Sequence, residues 1–203
     1  MLPQISNKVT IYIGIVNEFW ESKFPSNVLV DYYDEDFALK NTVPTAEGVV
    51  RLIMQNKQET IFSMDILVLG AGRTSKAICR LLLSLGAKVT VLARNTEEFS
   101  NLRMLEVKTS ELHSFHDVYP NFNTIVNTIP APILNSQKFK TNVKNTLFID
   151  ISTCGVFESN DMPPMFGINY IHALGIPGKY TPVTAGKLIA ESILKHYKLL
   201  ACI

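Results

Sequence analysis

The spacing of apolar residues along this chain switches between a period of two and a period of about three and a half, and each switch marks an element. Val9, Ile11, Ile13 and Ile15 alternate with Thr10, Tyr12 and Gly14, which predicts a strand, and residues 28–30 predict a second before an acidic turn at 31–36. Pro44 suits a helix start, and Val49, Val50, Leu52, Ile53 and Met54 give that helix its apolar positions to about Asn56. From Asp65 onward apolar runs alternate with amphipathic segments. A strand at 66–69 leads to a helix at about 73–85, stopped by Gly86, and to a strand at 88–93. Thr96 caps a short helix to about Arg103, a brief strand follows at 105–107, and 110–118 has helical spacing. Strands are predicted at 124–126, 147–151 and 170–172, and a last helix from Pro182 to about Leu199 with Thr181 as its N-cap. This strand–helix series predicts an α/β fold, a doubly wound parallel sheet of the Rossmann type with helices on both faces.

Between the strand at 66–69 and its helix stand Gly70, Ala71, Gly72, Arg73, Thr74 and Ser75. The first glycine permits a tight turn, the second lets a pyrophosphate approach the backbone, and the helix start offers N–H groups and a positive dipole end. The third position of the motif is Ser75, where glycine or alanine usually allows close helix–strand packing, so the match is partial. On such a sheet ligands bind beyond the carboxyl ends of the strands, where Gly70, Arg94, Asn127 and Ser152 all fall. Arg94 ends the second strand of the series. An arginine there suits a ribose 2′-phosphate, whereas an acidic residue would accept from a 2′-hydroxyl, so NADP is favoured over NAD. The opposing reading of Arg94 is a solvated guanidinium stacked on the adenine. Arg73 offers a second phosphate contact at the helix mouth. Asn127, Thr128, Ile129 and Pro130 end the fourth strand of the series in a stiff loop on the nicotinamide side. Asp150 and Ser152 bring small polar groups to the cleft, Asp150 either as a backbone cap or as a ligand contact.

The bulk numbers narrow the function. The chain has 203 residues, 47% of them hydrophobic and 18% charged, enough for one domain with an added segment or for two small ones. A net charge of +1 gives no basic field for nucleic acid. Apolar runs are strand-sized, short of the ~20 residues of a membrane span. The first eight residues lack a leader pattern, so a cytoplasmic location is expected. Cys79, Cys154 and Cys202 are too scattered for a disulfide framework or a zinc ribbon, and Cys79 falls where a buried thiol is expected. His113 and His116 are spaced H-x-x-H near Glu111, but without a further ligand they read as a surface helix face far from the cleft, and no metal site is expected.

Four segments together resemble the A subunit of bacterial dipicolinate synthase. They are Asn41-Thr42-Val43-Pro44-Thr45-Ala46-Glu47-Gly48, Gly70-Ala71-Gly72-Arg73-Thr74, Asn127-Thr128-Ile129-Pro130, and Gly175-Ile176-Pro177-Gly178-Lys179 with Pro182, Thr184, Ala185 and Gly186. The first and last are more specific than the glycine turn, and the resemblance covers about residues 9 to 200. It implies NAD(P)-dependent oxidation of a dihydrodipicolinate-level intermediate to pyridine-2,6-dicarboxylate in sporulating bacteria. A nicotinamide cofactor, a small dicarboxylate substrate, a B-subunit partner and a homo-oligomer go with it. Thr45, Glu47, Ser152, Gly178, Thr184, Ala185 and Gly186 are the candidates for the substrate cleft, and no general base is named. Only about forty residues precede the P-T-A-E-G segment, so a shortened N-terminal domain is expected. The expected division is an N-terminal remnant at 1–40, a linker helix at 41–60, a dinucleotide-binding domain at 61–180 and a closing helix at 181–203. Two rivals stand beside this reading. One is a non-catalytic nucleotide-binding or subunit-interaction module. The other is a shikimate-dehydrogenase-like or methylenetetrahydrofolate-dehydrogenase-like NADP enzyme, against which the P-T-A-E-G segment argues.

Overall fold

A computed structural model describes residues 9–14, 17–24, 29–94, 99, 102, 105–135, 139, 145–158 and 168–201. In chain order the elements are β1 (Ile11–Ile13), α1 (Glu18–Glu21), β2 (Leu29–Asp31), α2 (Glu35–Lys40) and α3 (Thr42–Asn56). Then come β3 (Asp65–Leu69), α4 (Arg73–Ser84), β4 (Lys88–Ala93), β5 (Lys108–Glu111) and α5 (Phe115–Val118). The rest are β6 (Thr124–Asn127), β7 (Thr146–Asp150), β8 (Ile168–His172), α6 (Ile176–Tyr180) and α7 (Pro182–Ala201). The chain forms two compact units, one of Met1–Asn41 with Pro182–Ile203, the other Thr42–Thr181.

The second unit carries a six-stranded sheet in the order β5-β4-β3-β6-β7-β8, every neighbouring pair parallel. This is the doubly wound order, with the reversal of strand sequence between β3 and β6. The strand period of two explains the packing of β3. Ile66 and Val68 turn to one face, against Val49 and Ile53 of α3 and Ile78 and Leu82 of α4. Leu67 and Leu69 turn to the other, against Phe115, Tyr119, Ile125 and Phe148. All four are fully buried. A strand covered on both faces needs a continuous apolar run, which 66–69 supplies.

Helix α3, which falls within the linker helix expected at 41–60, belongs to this unit. It has a reason to pack: Ala46, Gly48, Val49, Leu52 and Ile53 lie on one buried face. A Cβ at Gly48 would come within 2.1 Å of Ile176 Cγ2, so this glycine sets the approach of α3 to α6. The P-T-A-E-G and G-x-P-G segments therefore meet in the fold. Met54, expected on the apolar face, is 67% exposed.

Several elements differ from expectation. The strand expected at 105–107 is β5, Lys108–Glu111, and it takes the start of the segment expected to be helical at 110–118. The remainder forms a 3-10 turn at Leu112–Ser114 and α5. The acidic turn leads into α2, because the Asp34 carboxylate accepts from the Phe37 N–H at 2.7 Å and caps it. The segment Gly175-Ile176-Pro177-Gly178-Lys179 leads through α6, which Gly175 enters in the left-handed conformation with φ 64°. The hydroxyl of Thr181, the residue expected as N-cap of the last helix, donates to the Pro177 carbonyl at 3.1 Å and closes α6. Thr96 and most of the short helix expected after it, like Ile15, Val28 and Cys202, lie outside the described residues.

In the first unit β1 and β2 pair in parallel. Phe37 of α2 meets the rings of Tyr32 and Tyr33 edge-on. From α7, Ser192 Oγ donates to the Tyr32 carbonyl at 2.6 Å and Lys195 Nζ to Asp34 Oδ2 at 3.0 Å.

Candidate functional site

The glycine turn sits at the carboxyl end of β3, beside the strand reversal. Gly70 has φ 101°, a conformation that side-chain-bearing residues rarely adopt, and a Cβ there would lie 2.5 Å from Thr128 Oγ1. The Thr128 N–H and hydroxyl both donate to the Leu69 carbonyl, at 3.0 and 2.8 Å, which ties the loop after β6 to the end of β3. Gly72 is the N-cap of α4 and has no side chain to satisfy the first-turn amides. Its φ is an ordinary −72°, and a Cβ added to it would meet no protein atom within 4 Å.

These features surround a cavity of about 460 Å³ lined by Gly70, Ala71, Gly72, Arg73, Thr74, Ala93, Arg94, Thr128, Ile129, Pro130 and Ala131. Three strand ends thus supply one concavity: β3 the glycine turn, β4 the Arg94 tip, and β6 the proline loop. The start of α4 opens on it, so its dipole and amides favour an anion there.

Two of the residues expected at the cofactor do not line this cavity. Ser75 is fully buried on the inner side of α4, its Oγ 3.9 Å from Cys79 Sγ one turn on. Asn127 is also fully buried. Its Nδ2 donates to the Ile129 carbonyl at 3.2 Å and to Asp150 Oδ1 at 2.9 Å, while its Oδ1 accepts from the Ile129 N–H at 3.1 Å. Its hydrogen-bonding capacity therefore goes into shaping the 128–130 loop rather than into the cavity.

Asp150, at the end of β7, is the hub of this arrangement. Besides Asn127, its Oδ1 accepts from the Ser152 N–H at 2.9 Å and the Ser152 hydroxyl at 2.7 Å. Its Oδ2 accepts from the Val156 N–H at 2.7 Å and the Tyr170 hydroxyl at 2.8 Å. Burial, helped by the hydrogen bond to Asp150, holds the Tyr170 phenol well above the ordinary tyrosine range. The Val156 carbonyl in turn accepts from the Ile133 and Leu134 N–H groups, so the hub braces the far end of the proline loop as well. His172 Nε2 lies 2.7 Å from the Ser152 carbonyl, which makes that nitrogen the donor. Of the two expectations for Asp150, the backbone-cap one matches this geometry.

The substrate candidates lie on several elements. Ser152 is buried against Asp150. Thr45 and Glu47 lie on α3, Glu47 exposed, and Gly178 is exposed on α6. Thr184, Ala185 and Gly186 lie on α7 in the first unit.

The H-x-x-H segment is not far from the cleft. Glu111, His113, Phe115 and His116 line a second cavity of about 630 Å³ with Leu134, Asn135 and Glu158, and Arg94 lines both cavities. The register that brings this about pairs Ala93 of β4 with Glu111 of β5, which the misplaced third strand had concealed. Among the described residues no group of three or more His, Cys, Asp or Glu side chains is placed to hold a metal ion, and no helix is long and apolar enough to cross a membrane.

Sheet order, glycine turn and cavity define a Rossmann-type domain of the dehydrogenase class. The chain belongs to the shikimate / quinate 5-dehydrogenase family, whose model matches residues 52–156, from within α3 to the segment after β7. Within that class the chain resembles the A subunit of dipicolinate synthase. The Bacillus subtilis (strain 168) protein of that name is 29% identical over 188 residues, 91% of this chain and 63% of the relative. The crystal structure of the Bacillus subtilis dipicolinate synthase A chain superposes with a TM-score of 0.85 at 28% identity, covering 95% of this chain and 66% of that one. The crystal structure of the Bacillus halodurans A subunit gives 0.83 at 26% identity, covering 94% and 66%. An L-alanine dehydrogenase shares the fold with a TM-score of 0.66 at 18% identity, covering 85% of this chain and 59% of that one. The chain spans just under two thirds of the length of the dipicolinate synthase relatives.

Proposed function

We propose that the second unit is the dinucleotide-binding domain of a dipicolinate synthase A-type oxidoreductase, holding NADP in preference to NAD. Its substrate is a small cyclic dicarboxylate at the dihydrodipicolinate level, oxidised to pyridine-2,6-dicarboxylate. The observation that carries the reading is the meeting of the glycine turn, Arg94 and the 128–130 loop around one cavity at the strand reversal. Gly72 supports it independently. Neither its φ nor its protein neighbours call for glycine, whereas a pyrophosphate passing close to the backbone does.

In this reading the turn and the α4 amides hold the pyrophosphate, and Arg94, with Arg73 nearby, meets the ribose 2′-phosphate. Thr128, Ile129 and Pro130 flank the nicotinamide, kept in place by Asn127 and Asp150. The cofactor, when bound, supplies a hydride acceptor. The chain's own part is to orient two rings and to keep water from the face between them. Thr45, Glu47, Gly178 and the 184–186 segment remain the substrate-side residues of the proposal. It also includes a B-subunit partner, further copies of this chain and the cytoplasm of a sporulating bacterium.

One observation favours a second reading. Among the described residues, the lining of the first cavity includes no carboxylate, histidine, cysteine or lysine to act as a base. A nucleotide-holding module of a larger assembly fits this equally.

Titration with NADPH and NADH, followed by nicotinamide fluorescence, tests the proposal. Arg94→Ala weakens NADPH by about tenfold and leaves NADH within about twofold, because only the former loses a charge-assisted phosphate contact. Equal loss for both refutes the 2′-phosphate role. No binding of either at high micromolar concentration refutes the cofactor.

A further inference from the structure

The second cavity carries charge that the glycine-turn site does not account for. Arg94 borders both cavities, and the strand register sets Glu111 directly beside Ala93, the residue before Arg94. Glu111 is held at the rim. Its Oε2 lies 3.0 Å from His113 Nδ1, and its carbonyl accepts from the Ser114 hydroxyl at 2.7 Å, which fixes the turn that follows β5. Glu158, after β7, lines the same cavity. Any anion drawn to Arg94 from this side therefore approaches carboxylates as well as a guanidinium.

We propose that Glu111, partnered by His113, is the specificity-determining counterweight to Arg94 and sets how strongly the site prefers a dinucleotide bearing a 2′-phosphate over one bearing a 2′-hydroxyl. The inference rests on the dinucleotide reading above and goes beyond it. Arg94 alone predicts a strong preference for NADPH. With a carboxylate at the tip of the next strand, the dianionic phosphate meets attraction and repulsion together, and the preference is moderated. A 2′-hydroxyl is uncharged and is indifferent to the sum, or gains an acceptor from Glu111. The pair His113–Glu111 tunes the balance, since a ring N–H donated to the carboxylate at 3.0 Å offsets part of its field. Both side chains are more than half exposed, so the effect is one of screened charges at a rim, not of a buried ion pair.

The experiment is a set of fluorescence titrations with NADPH and NADH, and calorimetric titrations with 2′,5′-ADP and 5′-AMP, on the full chain. Glu111→Gln keeps the shape and removes the charge. It raises affinity for NADPH and 2′,5′-ADP by roughly fivefold at low ionic strength, the scale of a unit charge acting on a dianionic phosphate at a water-exposed rim. NADH and 5′-AMP stay within about twofold, and the NADPH gain shrinks as salt is added. Glu111→Lys moves the ratio further in the same direction, and His113→Ala moves it the other way. Both positions are exposed, so the variants keep the fold, which circular dichroism checks. If wild-type protein binds the nucleotides but the NADPH-to-NADH ratio is the same in Glu111→Gln, this inference is overturned and the cofactor site stands. If wild-type protein binds none of the four, the cofactor reading fails and the inference falls with it.

Discussion

Asp150→Asn is the most informative single change in the second unit, because one carboxylate oxygen pair serves Asn127, Ser152, Val156 and Tyr170 at 2.7 to 2.9 Å. An asparagine has one acceptor oxygen, and its amide nitrogen brings two donors to a place where an oxygen accepted. With the nitrogen on the Tyr170 side, the phenol can turn and accept, but the Val156 N–H loses its partner and faces another donor. With the nitrogen on the Asn127 side, two N–H groups are stranded. The first arrangement is the milder. A stranded buried N–H costs about 1–3 kcal/mol, and exchanging charged for neutral hydrogen bonds adds to it, for a total of about 3 kcal/mol. For a unit of this size that corresponds to a fall of roughly 10 °C in Tm. Urea and thermal unfolding followed by far-UV circular dichroism measure it. Trp20, the one tryptophan of the chain, belongs to the other unit and reports poorly here. Tyr170→Phe removes a single bond and costs about 1 kcal/mol. It also has a pH signature. The folded phenol titrates above the ordinary value of 10.0, so its contribution is complete below that pH and declines as pH rises toward the folded value. The Phe variant lacks that alkaline decline. A loss below about 1 kcal/mol for Asp150→Asn would refute the view that this carboxylate holds the strand ends together.

Two further outcomes test the packing of each unit. Gly48→Ala drives a methyl to within 2.1 Å of Ile176 Cγ2. Overpacking of about 1–3 kcal/mol outweighs the gain in helix propensity of up to about 1 kcal/mol, and in a double-mutant cycle with Ile176→Ala the two changes are less costly together than their sum. In the first unit the Phe37 N–H, and after it Lys195, hold the Asp34 carboxyl below its ordinary value of 3.8. A lowered folded value means stability present at neutral pH and lost as pH falls from that value through the folded one. Asp34→Ala costs about 1 kcal/mol at pH 7 through the missing cap, read as faster amide exchange in α2, and the difference from wild type closes in acid.

The doubly wound sheet was legible because its central strands are buried on both faces, so β3, β6 and β7 are written as apolar runs that no helix period explains. The elements that escaped share the opposite property. β5 is Lys-Thr-Ser-Glu at the sheet edge, with no apolar face, and the neighbouring Leu105 and Val107 drew the strand three residues early. α6 holds Pro177 and Gly178 within five residues, so its composition speaks for a loop, while its helix is imposed by contact with α3. α2 hides behind acidic residues whose effect depends on one capping geometry.

At the site, local features were readable and distant partners were not. The turn at Gly70 and Gly72 announces itself within six residues, whereas Asn127 owes its role to Asp150, 23 residues away, and Ser152 to the same carboxylate. Nothing in the Asn-Thr-Ile-Pro segment distinguishes an amide aimed at a ligand from one turned back into the protein. Ser75 shows the same division. It departs from the small residue expected beneath a pyrophosphate, yet it faces the protein interior, where the slender Cys79 thiol gives its hydroxyl room. Burial lifts that thiol to about 11, so Cys79 stays protonated and serves as packing. The departure at position 75 is therefore absorbed on the inner side of α4, while the outer side keeps the bare Gly72 corner. A third small residue is needed only where a helix must press against its strand. The glycines that a phosphate itself would demand are both in place, and the partial motif retains the part that would meet the proposed dinucleotide.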